Sequence, residues 1–171
     1  MKIVQSGSPA GEVVPLELLK KHVRIADDAG DYSDDDDTIL TQYLAAATEW
    51  VQDVCGTILL TTEFTATGKD FCLSFEGYPN PEIQSVTYLD PLGVPGTITE
   101  FDILCNRLVV PNAPQVSAVT VAFKAGIGSG NIPIKLRQAV LQLAEVFYDK
   151  SGDGPPDSVR AMIAPHRSFA F

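Results

Sequence analysis

The chain has 171 residues, of which 45% are hydrophobic and 20% charged. That length and balance suit one folded domain and exclude a disordered chain. The formal net charge is −10, from 22 acids and 12 bases, which excludes a protein that grips phosphate backbones by counterion release, since that needs a basic face.

No apolar run approaches the ~18 residues needed to cross a bilayer. The opening MKIVQSGSPAGEVVP has no apolar core of ~7–15 residues and is not a signal peptide, so the cytoplasm is the expected compartment. Residues 1–14, punctuated by Gly, Ser and Pro, are expected to be flexible. Pro15 then opens PLELLKKHVRI, where Leu16, Leu19 and Val23 recur at helical spacing, and a short helix is expected near 15–24.

The next stretch is DYSDDDD, Asp31 to Asp37, with five carboxylates in seven residues and no Lys or Arg within it. With Asp27 and Asp28 it holds seven of the 22 acids; removing these leaves 15 acids against 12 bases, a balance of −3. A calcium loop of the EF-hand kind needs Gly at its sixth position and Glu at its twelfth. Counted from Asp31 these are Asp36 and Gln42, and starts at Asp27 or Asp28 also miss the Gly. A helix start fits better. Ser33 or Asp34 can cap unpaired N–H groups, Ser33 and Asp36 form a loose capping box, and Asp35, Asp36 and Asp37 fall in a first turn where the macrodipole favours anions. The helix itself is TILTQYLAAATEWVQDVCG, striped by Leu40, Leu44, Ala47, Val51 and Val54. It is expected near 35–55, with Gly56 as its C-terminal cap.

From Thr57 the texture turns β-like. ILLTTEFTA, DFCLSF, IQSVTYLD, TITEFDI, NRLVV and SAVTVAFKAG are short runs rich in Val, Ile, Thr and aromatics, separated by turn-like ATGKD and PLGVPG. About six strands are expected between 57 and 125, mostly antiparallel because the links are short. GIGSGN (126–131) follows a strand and precedes a helix, as a phosphate loop does. It reads GxGxG, not GxGxxG, and no Gly-Lys-Ser/Thr follows, so a plain connection is expected. Asn131 and Pro133 then open a helix near 133–150, with Leu136, Ala139, Leu143, Val146 and Phe147 on its apolar face. SGDGPPD breaks it, SVRAMI is expected to add turns near 157–164, and APHRSFAF is a tail. Its Arg167, Phe169 and Phe171 can anchor a partner or fold back on their own core.

Helices, strands and helices in that order indicate an α+β protein. A single domain is expected, with 15–56 and 132–164 as a small helical body, 57–131 as an inserted β-rich region and 165–171 as a C-terminal tail. Cys55, Cys72 and Cys105 show no zinc spacing and are expected as free thiols. His22 and His166 stand near opposite ends, with no local support for a Cys–His nucleophile pair. No set of acid, base and nucleophile names a reaction, so no catalytic residue, metal or cofactor is assigned.

The ordered series LLKKHVRI, DDDD-TILTQYLAAATEWVQDVCGTIL, IQSVTYLDPLG, VTVAFKAGIG, IPIKLRQAVLQLAEVFYD and VRAMIAPHR resembles the head–tail connector proteins of tailed bacteriophages and gene transfer agents, the adaptors or first head-completion proteins. The likeness runs over most of residues 15–167 and rests on the order of the pieces. It implies a virion neck protein, not an enzyme. Such adaptors form a ring, commonly of twelve subunits, under the portal and extend the DNA channel toward the stopper and tail. The isolated protein can be monomeric until it meets the portal. In relatives the C-terminal segment docks on the portal, which points here to Arg160, Pro165, His166, Arg167, Phe169 and Phe171, with Arg167 matching the family's terminal P-x-R. Compact relatives are nearly all helical, so the β region would be an elaborated insertion. The likeness also implies assembly in the host cytoplasm, no membrane, and an acidic surface past which DNA slides without specific binding. The rival readings are another neck role, as stopper or tail-completion protein, and a monomeric cation- or ligand-binding module built on Asp31–Asp37.

Overall fold

The computed structural model describes residues 1–23, 37–149 and 154–167. In chain order its elements are β1 (Lys2–Gln5), α1 (Leu16–Val23), α2 (Asp37–Cys55), β2 (Thr62–Gly68), β3 (Glu82–Leu89), β4 (Pro95–Ile98), β5 (Asp102–Leu104), β6 (Arg107–Val109), β7 (Ala118–Ala125), α3 (Ile134–Tyr148) and α4 (Asp157–Ile163), followed by a 3-10 turn, Ala164–His166. The class is α+β, as expected. The chain divides into two compact units, Met1–Ala10 with Leu60–Ile127, and Gly11–Leu59 with Gly128–Phe171.

The first unit is a five-stranded sheet in the order β1-β2-β7-β3-β4, beside a two-stranded β5-β6 hairpin. All pairings are antiparallel. Central β7 alternates, burying Val119, Val121, Phe123 and Ala125, as a sheet with one covered face requires. Phe64 of β2 lies opposite Phe123, and Val86 of β3 opposite Val121. Phe75 and Tyr78, from the β2–β3 connection, complete the core, with ring centroids 4.7 and 5.5 Å from that of Phe123. The other face is polar. Thr67, Thr120, Thr87 and Thr97 form one cross-strand row on it, all exposed.

Three local expectations in this unit change. Residues 1–14, read as flexible, hold β1, whose pairing with β2 continues in Ser6 N–H donating to Glu63 O at 2.9 Å. A four-residue strand has little local signal; its partner lies some sixty positions away. DFCLSF is not a strand. Asp70 Oδ1 accepts from Cys72 N at 3.0 Å and Phe71 O from Leu73 N at 2.8 Å, turning the chain, and only Ser74 bridges to Arg107. TITEFDI is split, because β4 ends at Ile98 and β5 begins at Asp102.

The second unit is helical. α2 buries Leu40, Ala47, Val51 and Cys55, and α3 buries Leu136, Ala139, Val140, Leu141, Leu143 and Ala144. Tyr43 and Phe147 meet across these two helices with ring centroids 6.5 Å apart. α2 ends as expected at Gly56, φ +62. Thr57 N–H donates to Gln52 O at 3.2 Å and Gly56 N–H to Asp53 O at 3.3 Å, the two bonds of a Schellman cap. Pro133 stands at the N-cap of α3, and the Arg137 guanidinium donates to Ser129 O across the turn before it. GIGSGN is the connection between β7 and α3.

Candidate functional site

The acidic stretch meets a cation that the local sequence does not contain. Asp37 is the first residue of α2, and its Oδ1 lies 2.5 Å from Lys20 Nζ of α1. Glu17 Oε1 lies 3.8 Å from the same nitrogen. Lys20 is only 1% exposed. A buried ammonium costs several kcal/mol unless paired, so pairing with carboxylates such as these helps α1 to bury its lysine. Asp37 also occupies the first turn, where the macrodipole favours its charge. Ser33, Asp34, Asp35 and Asp36 lie outside the described residues, and so does the cap expected from Ser33 or Asp34. His22 Nε2 makes a second link from α1, 2.8 Å from Glu145 Oε2 of α3.

The C-terminal candidates gather on α4 and the turn after it. Pro155 and Pro156 stop the preceding chain, and Pro156 forms the N-cap of α4. Val159 and Ile163 bury fully and hold the helix down. Arg160 is exposed, its Nε donating to Pro155 O at 3.2 Å. Pro165 is exposed, His166 half-buried and Arg167 exposed. Burial pushes the Cys55 thiol above its ordinary pKa of 9.0, while the nearby Arg167 charge pulls it partly back. The last turn of α2, which ends at Cys55, has no basic residue of its own. Phe169 and Phe171 lie outside the described residues.

Cys55 is buried, and Cys72 and Cys105 are exposed free thiols. Sequence spacing gave no reason to group the last two, yet both line one groove of about 570 Å3 in the sheet unit. The grouping comes from Ser74 bridging Arg107, a pairing with no local signature. Among the described residues no group of three His, Cys, Asp or Glu could hold a metal ion, and no helix is long and apolar enough to cross a membrane.

Residues 14–85 match the phage gp6-like head-tail connector protein family. Over that stretch, somewhat less than half of its length, the chain is similar to this family. The matched segment holds α1, α2 and β2, and so includes Lys20 and Asp37. The chain also shares its fold with solved structures of gene transfer agent (GTA) particles. One is from the neck of an empty GTA particle computed with C6 symmetry, with TM-score 0.77 and 21% identity, covering 100% of this chain and 97% of that one. A second is from the virion of a native GTA particle, with TM-score 0.76 and 22% identity over the same shares. A third is from the neck of a native GTA particle computed with C12 symmetry, with TM-score 0.72 and 20% identity, again over 100% and 97%. No curated protein matches the sequence. The resemblance read from the ordered segments is thus borne out by both family and fold.

Proposed function

We propose that this head–tail connector works as a ring in the virion neck, seated on the portal and extending the DNA channel toward the next neck protein. The observation that carries the reading is the connector-family match over residues 14–85. The likeness to chains from necks computed with C6 and C12 symmetry supports a ring, with twelve copies as the favoured number. The mechanism is binding without chemistry. Assembly takes place in the host cytoplasm, and the isolated protein can remain monomeric until it meets the portal.

Arg160, Pro165, His166 and Arg167, with Phe169 and Phe171, are the portal-docking residues of this reading. What supports them is an α4 held by buried Val159 and Ile163 beside exposed Arg160, Pro165 and Arg167. The net charge of −10 supports a surface past which DNA slides without adhering. A chain lacking residues 165–171 is expected to keep its helical far-UV signal and lose portal capture in a pull-down. Undiminished capture would refute the docking role. Particle imaging of the full chain with its portal tests the ring itself, and images without rings would refute it.

A further inference from the structure

In the sheet unit, the turn between β3 and β4 is stiff and carries a bare leucine. Asp90 Oδ1 accepts from Leu92 N and Val94 N, both at 2.8 Å. Asp90 N–H donates to Val94 O, and Gly93 N–H to Asp90 O, both at 3.0 Å, with Gly93 at φ +85. On this frame Leu92 is 88% exposed, and Leu89 and Val94 are exposed as well. A single exposed leucine is ordinary. Three apolar side chains on a turn fixed by four hydrogen bonds make a preorganised knob, which gives up little conformational entropy when a partner covers it.

The same unit carries a matching groove. It is lined by Leu73, Leu104, Leu108 and Val109, with Cys72 and Cys105. Its walls are fixed: Phe75 N–H donates to Asn106 O at 2.7 Å and Leu108 N–H to Leu73 O at 3.0 Å. About 570 Å3 lies within the roughly 300–1,000 Å3 of pockets that take apolar ligands. Leu104 and Val109 are exposed within it. Charge agrees with shape. Arg107 also lines the groove and makes no ion pair among the described residues, while the knob bears the Asp90 carboxylate.

We propose that Leu92 and Val94 of one copy seat in the Leu73–Leu108 groove of the next copy, with Asp90 facing Arg107, as a link in the ring. The inference rests on the ring reading above. Knob and groove are different patches of one chain, so the contact is heterologous. Each copy offers both patches, and head-to-tail repetition closes a ring when the rotation between copies divides a full turn.

The groove supplies its own reporters, because Cys72 and Cys105 are exposed and free. Full-length Leu92→Cys, assembled with the portal, is treated with a short bis-maleimide and run on a denaturing gel, with linked peptides mapped by mass spectrometry. A ladder of covalent oligomers is expected, joined from position 92 to 72 or 105. It is lost when Cys72→Ser and Cys105→Ser are added, and absent from the wild type. Val94→Cys, which keeps Leu92, gives the same ladder even where the first variant weakens the contact. Rings seen by imaging without a ladder from either variant would overturn the contact and leave the ring reading standing. Links from position 92 to the portal or another neck protein would also overturn it. Absence of rings would overturn the ring reading and the contact with it.

Discussion

Replacing Asp37 by Asn isolates the ion pair at the start of α2. Lys20 Nζ and Asp37 Oδ1 are 2.5 Å apart, an attraction of roughly 6–7 kcal/mol at an effective dielectric of about 20. Most of it is offset by the cost of taking the charges from water. Breaking a fully buried pair costs about 3–5 kcal/mol, and breaking an exposed one about 0–1. Lys20 is buried, but the Asp37 side chain is 33% exposed, and Glu17 keeps a contact at 3.8 Å. The expected loss is therefore intermediate, about 2 kcal/mol, or roughly 4–8 °C in melting temperature for a chain of this size. Lys20→Met removes the charge and keeps most of the stem, and should cost under about 1 kcal/mol. With Lys20→Met in place, Asp37→Asn should cost little, which gives a coupling near 1.5–2 kcal/mol. Urea and thermal unfolding of the four proteins, read by the helical far-UV signal, measures the cycle. If Asp37→Asn costs the same with and without the Lys20 charge, the pairing argument is wrong.

Gly126→Ala should destabilise the sheet unit by on the order of 2 kcal/mol or more. Gly126 has φ +147, and an added Cβ would press on Leu60 O and stand 2.8 Å from Thr61 Cα, both backbone; a melting temperature within 2 °C or so of wild type would refute this. Alkaline pH should weaken the fold through Cys55 and Tyr78, whose burial raises their pKa values above the ordinary 9.0 and 10.0. The native state then holds its protons after the unfolded chain has released them. Stability from these groups is full below about pH 9 and falls as pH rises; Cys55→Ala should flatten the decline between pH 9 and 10, and an unchanged slope would contradict it.

The fold was legible where the signal is local and periodic. The stripe through Leu40, Ala47 and Val51 marks α2, Gly56 marks its end, and alternation around Val119, Val121 and Phe123 marks β7. It was illegible where long-range pairing decides. KIVQ becomes β1 only because β2 offers an edge, and DFCLSF, with the composition of a strand, turns because the Asp70 carboxylate takes the Cys72 amide. The same division runs through the candidate sites. The Pro-bounded α4 and its basic residues were readable from APHR and SVRAMI. The Lys20–Asp37 pair was not, because the Asp run contains no base and its partner lies on the preceding helix. Nor was the groove with Cys72 and Cys105, which exists only once the hairpin folds beside Ser74.

In the proposed ring, copies each carrying −10 repel one another, and the proposed contact has to overcome that repulsion. Asp37 is already committed to Lys20, which removes one oxygen donor from any cation site on the run. On the contact proposed above, attraction between copies comes mainly from apolar surface, the Leu92 knob and its groove, with Asp90 and Arg107 a minor term. The two contributions respond oppositely to salt. Screening shortens the reach of repulsion from about 10 Å at 0.1 M to about 3 Å at 1 M, while apolar burial is not weakened and sulfate strengthens it. Ring formation on the portal, measured by sedimentation across sodium chloride and then sodium sulfate, should therefore rise with ionic strength, and more steeply with sulfate. Rings that dissociate as salt is added would mean that charge attraction holds the copies together, and would remove the apolar contact from the account.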